Sequence, residues 1–362
     1  MKVAIVGRGI AGLTQGILLK NEGFQVTVFD RLAKSAIKGH AFLMNRNALE
    51  LLESLPFEQK KELIRNKIDL FNLKSPDGKT LEKVSLDDWY CLKRVDLIQY
   101  LSSFYNSDEI KYAHEFSHFI YDKNGKAISV VFKNNATITA DIFIGADGSN
   151  SAVRQNLFGP DQHTPIEVKE VVGISNYSVK SRLNVFQKIQ SKNKGLSFGY
   201  IPLSHTESVW FMQYDVQLEK GYSCKTPDQL KGFCLSLLKE FPADVMNVLE
   251  SNDFNNSYKW NTRDFDLLPS FHKKNVVLIG DAAHLSLPFT SSGTTDAILD
   301  AVALTKSFKD ETTLEESFCS YYMARREELT SKLAQGRELK NYFLEPNKYR
   351  EKKFILPLVL GK

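Results

Sequence analysis

The tightest constraint on this chain lies at its start. Lys2–Val6 is an apolar, β-branched run that ends in G-R-G-I-A-G, Gly7 to Gly12. Apolar residues then recur at helical spacing over Ile10–Lys20, and Gln25–Phe29 is a second β-type run closed by Asp30. Strand, glycine turn, helix and strand in this order form a βαβ unit, which commits the chain to a parallel sheet with helices packed on it. Gly7 permits the tight turn, Gly9 lets a pyrophosphate approach the backbone, and Gly12 lets helix and strand pack closely. The phosphates then meet the free N–H groups and positive dipole at the helix N-terminus. Asp30 stands where a carboxylate accepts hydrogen bonds from a ribose hydroxyl. Arg31 leaves the choice of nucleotide open: a cation there pairs with a 2′-phosphate, stacks on adenine or is solvated.

The full 362-residue sequence allows two or three folding units. Helical patterning is expected over Asn47–Leu55, Glu58–Ile68 and Arg94–Tyr105. Alternating strands follow between Phe116 and Ala140, with turns at Asn124-Gly125 and Asn134-Asn135. Asp141–Ala146 and Asn275–Gly280 are buried strands of the parallel sheet. Between them Val168–Val216 reads as strands and Gln229–Glu250 as helix, and further helices start at Thr294 and Thr313. The expected fold class is α/β, a doubly wound nucleotide domain interrupted by a β-sheet substrate domain. Residues 1–72, 91–165 and 262–312 form the first, 73–90 and 166–261 the second, and 313–362 a C-terminal helical segment.

Two further corners carry chemistry. D-I-F-I-G-A-D-G-S-N-S-A-V-R, Asp141 to Arg154, brings Asp147 out at the carboxyl end of a strand, where open α/β sheets place their ligands. Ser149 or Asn150 can cap the following helix, and Arg154 can reach back to the site; an ordinary capped corner is the alternative. V-V-L-I-G-D-A-A-H, Val276 to His284, again sets a carboxylate, Asp281, just past a buried strand, suited to a polyol such as a ribityl chain. Beyond Pro288, Thr290 to Thr295 lead into a helix through Asp300 whose N-terminus favours negative charge, as on a reduced flavin.

With these three motifs in order, the chain resembles the FAD-dependent aromatic hydroxylases, the class A single-component flavoprotein monooxygenases. A weaker fourth match is Arg94-Val-Asp-Leu97 with Leu101. The resemblance spans roughly residues 1–330. It implies that Gly7, Gly9 and Gly12 bind the FAD pyrophosphate, Asp30 the ribose and Asp281 the ribityl chain. Arg94 would contact the cofactor, Asp147 would serve FAD and nicotinamide nucleotide, and the loop with Pro288, Gly293, Thr294 and Thr295 would border the isoalloxazine. In the family NADH or NADPH reduces FAD, O2 adds at flavin C4a, and the hydroperoxide hydroxylates an aromatic or polyketide-like molecule. The chain departs where Ser291 and Thr295 replace a family glycine and asparagine. Rival readings are a reductase or dehydrogenase of the same fold, a halogenase, and a non-catalytic flavin-binding protein. The halogenase is disfavoured because Trp89, Trp210 and Trp260 stand apart, with no W-x-W-x-I-P run.

No catalytic side chain stands out. Phe198, Tyr200, Trp210, Met212 and Tyr214 alternate along two expected strands and either line a substrate face or form a core face. His205 reads as solvated, and His284 as a support of its loop. Cys91, Cys224, Cys234 and Cys319 show neither C-x-x-C nor metal-type grouping and read as thiols, so no metal is expected. The formal charge of +4 is too small to argue for a nucleic-acid partner. Seven basic against three acidic residues gather from Arg337 to Lys362, among Tyr342, Phe343, Tyr349 and Phe354. That tail reads as a helix and strap over the substrate domain. No signal peptide or transmembrane run is evident, Phe354–Leu360 being short and broken by Pro357, so a cytoplasmic location is expected. A monomer is compatible with everything above.

Overall fold

The computed structural model describes residues 1–34, 39–55, 62–160, 163–178 and 182–349. Its first sheet has six strands in the order His272–Lys273, Val276–Leu278, Ile142–Gly145, Lys2–Val6, Gln25–Phe29, Ile110–Lys111. All neighbours run parallel except the His272–Lys273 edge. Val3 to Val6 and Ile142 to Ile144 are each no more than 3% exposed, as the central strands of a sheet covered on both faces must be. Helix Ile10–Asn21 packs on this sheet and against Gly293–Asp310, which in turn lies along the helix Leu314–Leu344. The hairpin expectation holds: Phe116–Tyr121, Ala127–Phe132 and Thr137–Thr139 form a separate antiparallel sheet. Its turns use Gly125 at φ +75° and Asn135 at φ +66°, left-handed positions that these two residue types tolerate.

The second major sheet has eight strands: Tyr258–Thr262, Val168–Ser175, Ser208–Asp215, Leu196–Pro202, Val185–Gln190, Asn66–Lys74, Thr80–Lys93, Ala41–Asn45. The helix expected over Glu58–Ile68 is not found where it can be checked. Its residues 58–61 lie outside the described residues, while Asn66 onward opens a nine-residue strand. The alternation Ile68, Leu70 and then Phe71, Leu73 suits a bulged strand, and pairing with Thr80–Lys93 outweighs the weak helical period. The expected divisions at 72/73 and 90/91 therefore fall inside strands of one sheet, which also takes in Ala41–Asn45. The single helix expected over Gln229–Glu250 is two, Pro227–Leu238 and Ala243–Glu250, separated at Pro242 because proline cannot continue a helix.

These two helices decide the fate of five residues proposed for a substrate wall. Phe198, Tyr200, Trp210, Met212 and Tyr214 share one face of the eight-stranded sheet and are at most 2% exposed. They pack with Leu230, Phe233, Leu238, Val245 and Val248 of the helices into one cluster. This is a core face, not a substrate face, because the apolar sides of both helices require such a partner. Phe198→Ala is expected to cost about 3–5 kcal/mol of stability, measured by denaturant unfolding, since it leaves a cavity beneath Trp210. Its FAD content should stay at the wild-type level.

Candidate functional site

Three loops leave the carboxyl ends of adjacent parallel strands: Val276–Leu278, Ile142–Gly145 and Lys2–Val6 lie side by side. In the first loop Gly7 holds φ +115°, and a Cβ there would sit 2.1 Å from the Ala146 carbonyl oxygen. A Cβ on Gly12 would sit 2.0 Å from the Gly7 carbonyl oxygen. Both glycines are therefore needed by the fold itself. Gly9 differs: its backbone is extended and a Cβ would meet nothing within 4 Å. Open space thus adjoins the uncapped N-terminus of Ile10–Asn21. The Asp30 carboxylate accepts the Arg8 N–H at 3.0 Å and the Leu32 N–H at 2.7 Å, which orients it while leaving acceptor capacity. Arg31 is exposed, whereas Arg8 is buried with its guanidinium 4.9 Å from the Tyr112 ring centroid.

In the second loop Asp147 accepts the Ser151 hydroxyl and the Val153 N–H. Burial raises its carboxyl pKa, and these hydrogen bonds pull the other way. The helix cap is Ser151, which accepts the Arg154 N–H at 2.9 Å, rather than Ser149 or Asn150. Arg154 is buried and donates to the carbonyls of Asp281, Ala282 and Ser149 at 3.2, 3.0 and 2.8 Å. Arg154 is the clamp that joins the second loop to the third.

In the third loop Gly280 takes φ +58° and donates its N–H to Asp300 at 2.8 Å. The Asp281 side chain is accessible from the cleft, yet the protein around it pushes its carboxyl pKa up, with His284 and then Arg94 pulling it down. A Cβ on Gly293 would lie 3.9 Å from the Asp281 carboxylate, so the start of helix Gly293–Asp310 faces that group. This N-terminus carries no side-chain cap. Ser291 stands at φ +51°, a left-handed backbone that costs a serine about 1–2 kcal/mol and that a glycine adopts freely. The Arg94 side chain lies across Gly39, its buried Nε–H donates to no partner among the described residues, and its backbone N–H donates to the His40 carbonyl. Burial first, and Arg94 in addition, hold His40 down at about 4, against one backbone hydrogen bond, so it is neutral at pH 7.

Beneath the loops lies a network that the motifs did not reveal. Fully buried Asp300 accepts from His284 Nε2 at 2.7 Å and Arg325 Nε at 2.8 Å. Arg325 also donates to Asp296 at 3.0 Å, and Lys332 reaches Asp296 at 2.6 Å. His284 supports its loop, as expected, by anchoring to Asp300. A signal was present in Asp300 itself: an acid among Ala297, Ile298, Ala301 and Leu304 sits on a buried stripe and needs a cation. Its partner, on another helix, was not legible.

The donor set fits a dinucleotide. The room at Gly9, two uncapped helix N-termini, the oriented Asp30, and the orphaned Arg8 Nε, Arg94 Nε and His40 Nε2 line one connected set of loops. A sequence profile described as "FAD binding domain" matches residues 1–335. The chain belongs to this family. Among similar proteins, the FAD-dependent urate hydroxylase of Mycolicibacterium vanbaalenii is 23% identical over 355 residues, covering 93% of this chain and 87% of that protein. The 3-amino-4-hydroxybenzoate 2-monooxygenase of Streptomyces cremeus is 24% identical, covering 84% and 77%. Klebsiella pneumoniae HpxO, solved with FAD and uric acid, shares the fold with a TM-score of 0.85 at 17% identity, covering 98% of this chain and 93% of that one. Membership establishes FAD as the cofactor, and the relatives are FAD-dependent monooxygenases, as the resemblance implied. Among the described residues no helix is long and apolar enough to cross a membrane.

Proposed function

We propose that this chain is an NAD(P)H-dependent monooxygenase that uses O2 to hydroxylate an aromatic small molecule. One observation carries the reading: the three motif loops converge at the carboxyl edge of three neighbouring parallel strands and are locked there by Arg154 and Asp300. Bound FAD supplies hydride acceptance and oxygen activation, chemistry that no side chain offers. The amides behind Gly7, Gly9 and Gly12 hold the pyrophosphate, Asp30 the adenosine ribose, and Arg31 the adenine edge. Asp281 and Arg94 take the ribityl chain, and Asp147 holds its loop in shape beside them. Pro288, Gly293, Thr294 and Thr295 border the flavin ring, where the helix N-terminus stabilises negative charge. The parallel sheet serves the nucleotide and the eight-stranded sheet the substrate. The left-handed strain held at Ser291, beside the helix start that faces Asp281, favours a working loop over a degraded one.

The purified protein is expected to show flavin absorbance that bleaches with NADH or NADPH under argon and returns in air. A bound aromatic substrate should accelerate the bleaching. Flavin that never accepts hydride from either nucleotide would sink the proposal.

A further inference from the structure

The face of the eight-stranded sheet turned away from the two covering helices holds a polar group of unusual composition. Period-2 alternation places Glu170, Ser197, Gly199, Phe211 and Gln213 on that face, with Lys188 opposite Gly199. Gln213 donates from Nε2 to a Glu170 oxygen at 2.9 Å and accepts at Oε1 from Lys188 at 3.2 Å and the Ser197 hydroxyl at 3.4 Å. Its amide is thus tied at both ends. Gly199 leaves the Phe211 ring lying across the sheet, since a Cβ there would sit 2.3 Å from that ring. The Lys188 ammonium lies 5.9 Å from the centroid of the same ring. The second Glu170 oxygen and two Lys188 protons have no partner among the described residues.

Both side chains are only partly covered, so each keeps accessible surface on this face of the sheet. Burial, opposed by Gln213 and Lys188, pushes Glu170 up to about 7, and burial, opposed by Glu170, brings Lys188 down to about 8. A partly buried pair of this kind is a poor source of stability, because desolvation offsets the attraction. Glu170, Gln213 and Ser197 lie within two residues of the strand ends at Val168, Asp215 and Leu196, and that end of the sheet is linked to the loop after Pro288 through Phe343. The Phe343–Leu344 backbone packs on Gly195, just before Leu196, and the Phe343 ring lies 5.6 Å from that of Phe289 in the Pro288–Thr290 turn, tilted to it by 49°.

Resting on the proposed monooxygenase reading, we infer that Glu170, Gln213 and Lys188 around the Phe211 ring form the polar recognition site for the substrate. The site takes a planar aromatic ring that carries an acidic O–H or N–H beside an anionic or carbonyl oxygen. The ring packs on Phe211, its O–H or N–H donates to the free Glu170 oxygen, and its neighbouring oxygen accepts from Lys188. A hydroxyl held by a carboxylate also enriches its ring in electrons, which suits attack by an electrophilic oxygen.

Calorimetric titration of the FAD-loaded protein with salicylate and uric acid, each having the donor beside the acceptor, tests this. The control is 2-methoxybenzoate, which keeps the ring and the carboxylate but has no donor. Wild type is expected to bind the two donor probes about 10-fold or more tighter than the control, the usual worth of a charged hydrogen bond. Glu170→Gln should erase that preference, and Lys188→Met should weaken salicylate and the ether alike, both with unchanged flavin content. A merely structural pair would leave the ratio of the two affinities unmoved. No binding of either donor probe, equal affinity for salicylate and its ether in wild type, or unchanged ratios and affinities in both variants overturns the inference. Reduction of the same FAD-loaded samples by NADH or NADPH separates the two proposals: flavin that never accepts hydride counts against the monooxygenase reading alone, while the probe affinities still decide this one.

Discussion

Gly9→Ala is expected to release FAD from an otherwise folded protein. The backbone at Gly9 is extended and open to any residue, and the added methyl would meet no protein atom within 4 Å. The apoprotein should therefore unfold at the same denaturant concentration as wild-type apoprotein. The methyl occupies the room through which a pyrophosphate reaches the first amides of helix Ile10–Asn21, so FAD affinity should fall by at least about 10-fold, roughly 1.4 kcal/mol. Gly12→Ala gives the contrasting result. Its methyl would stand 2.0 Å from the Gly7 carbonyl oxygen, a backbone atom that can move only by opening the helix–strand contact. A loss of about 3 kcal/mol in apoprotein stability is expected there. Flavin absorbance after desalting, read with urea unfolding of both apoproteins, separates a ligand glycine from a packing glycine. Full FAD retention in Gly9→Ala would refute the placement of the phosphates.

Arg325→Met should be the most destabilising of the conservative changes near the site. It leaves Asp300, wholly buried, with His284 as its remaining charged partner, and takes one of two cations from Asp296. Breaking one member of a buried ionic network costs about 3–5 kcal/mol, because the other charges stay desolvated. The same variant should loosen the third loop, since Asp300 also holds the Gly280 N–H, and FAD affinity should fall with stability. The network has a pH signature as well. Burial alone would raise Asp300, but the charge and hydrogen bond of His284, and then Arg325, hold it at about 2. Its share of stability is present above the ordinary carboxylate range and is lost as pH falls towards 2. Burial would lower His284, but Asp300 outweighs it and the imidazole is raised. That contribution is complete below pH 6.5, the ordinary histidine value, and disappears as pH rises through the raised value. Urea unfolding of wild type and Arg325→Met apoprotein from pH 3 to 9 checks both arms, and a difference under about 1 kcal/mol at pH 7 would remove the network from the account.

The motifs that were legible are those whose chemistry is local. Gly7, Gly9 and Gly12 declare themselves because a turn, a helix start and a strand lie within one short segment, and Asp147 and Asp281 because each follows an apolar run directly. Arg154 was foreseen as reaching back, but its target, the Asp281 and Ala282 carbonyls, lies on a distant segment. The five aromatic and sulfur residues from Phe198 to Tyr214 show the limit. Alternation establishes that they share a face, yet either face of a sheet can carry apolar residues, and only the docking of Pro227–Leu238 and Ala243–Glu250 says which one is closed. The opposite face was passed over for the complementary reason. Glu170, Lys188 and Gln213 look like solvated positions along their own strands, and they become a cluster only when four strands are set in register.

By itself, then, the sequence determined the class of fold, the cofactor and the carboxyl-edge corners that meet it. These follow from steric and hydrogen-bonding needs that a few consecutive residues impose. Tertiary structure alone decided which sheet face is core, which acids are paired, and where the Asn66–Lys74 strand joins its sheet. Those outcomes depend on contacts between separate segments, from Arg325 with Asp300, 25 residues apart, to Asn72 with Gln187, 115 apart, where one of several comparable local preferences is selected by what packs against it.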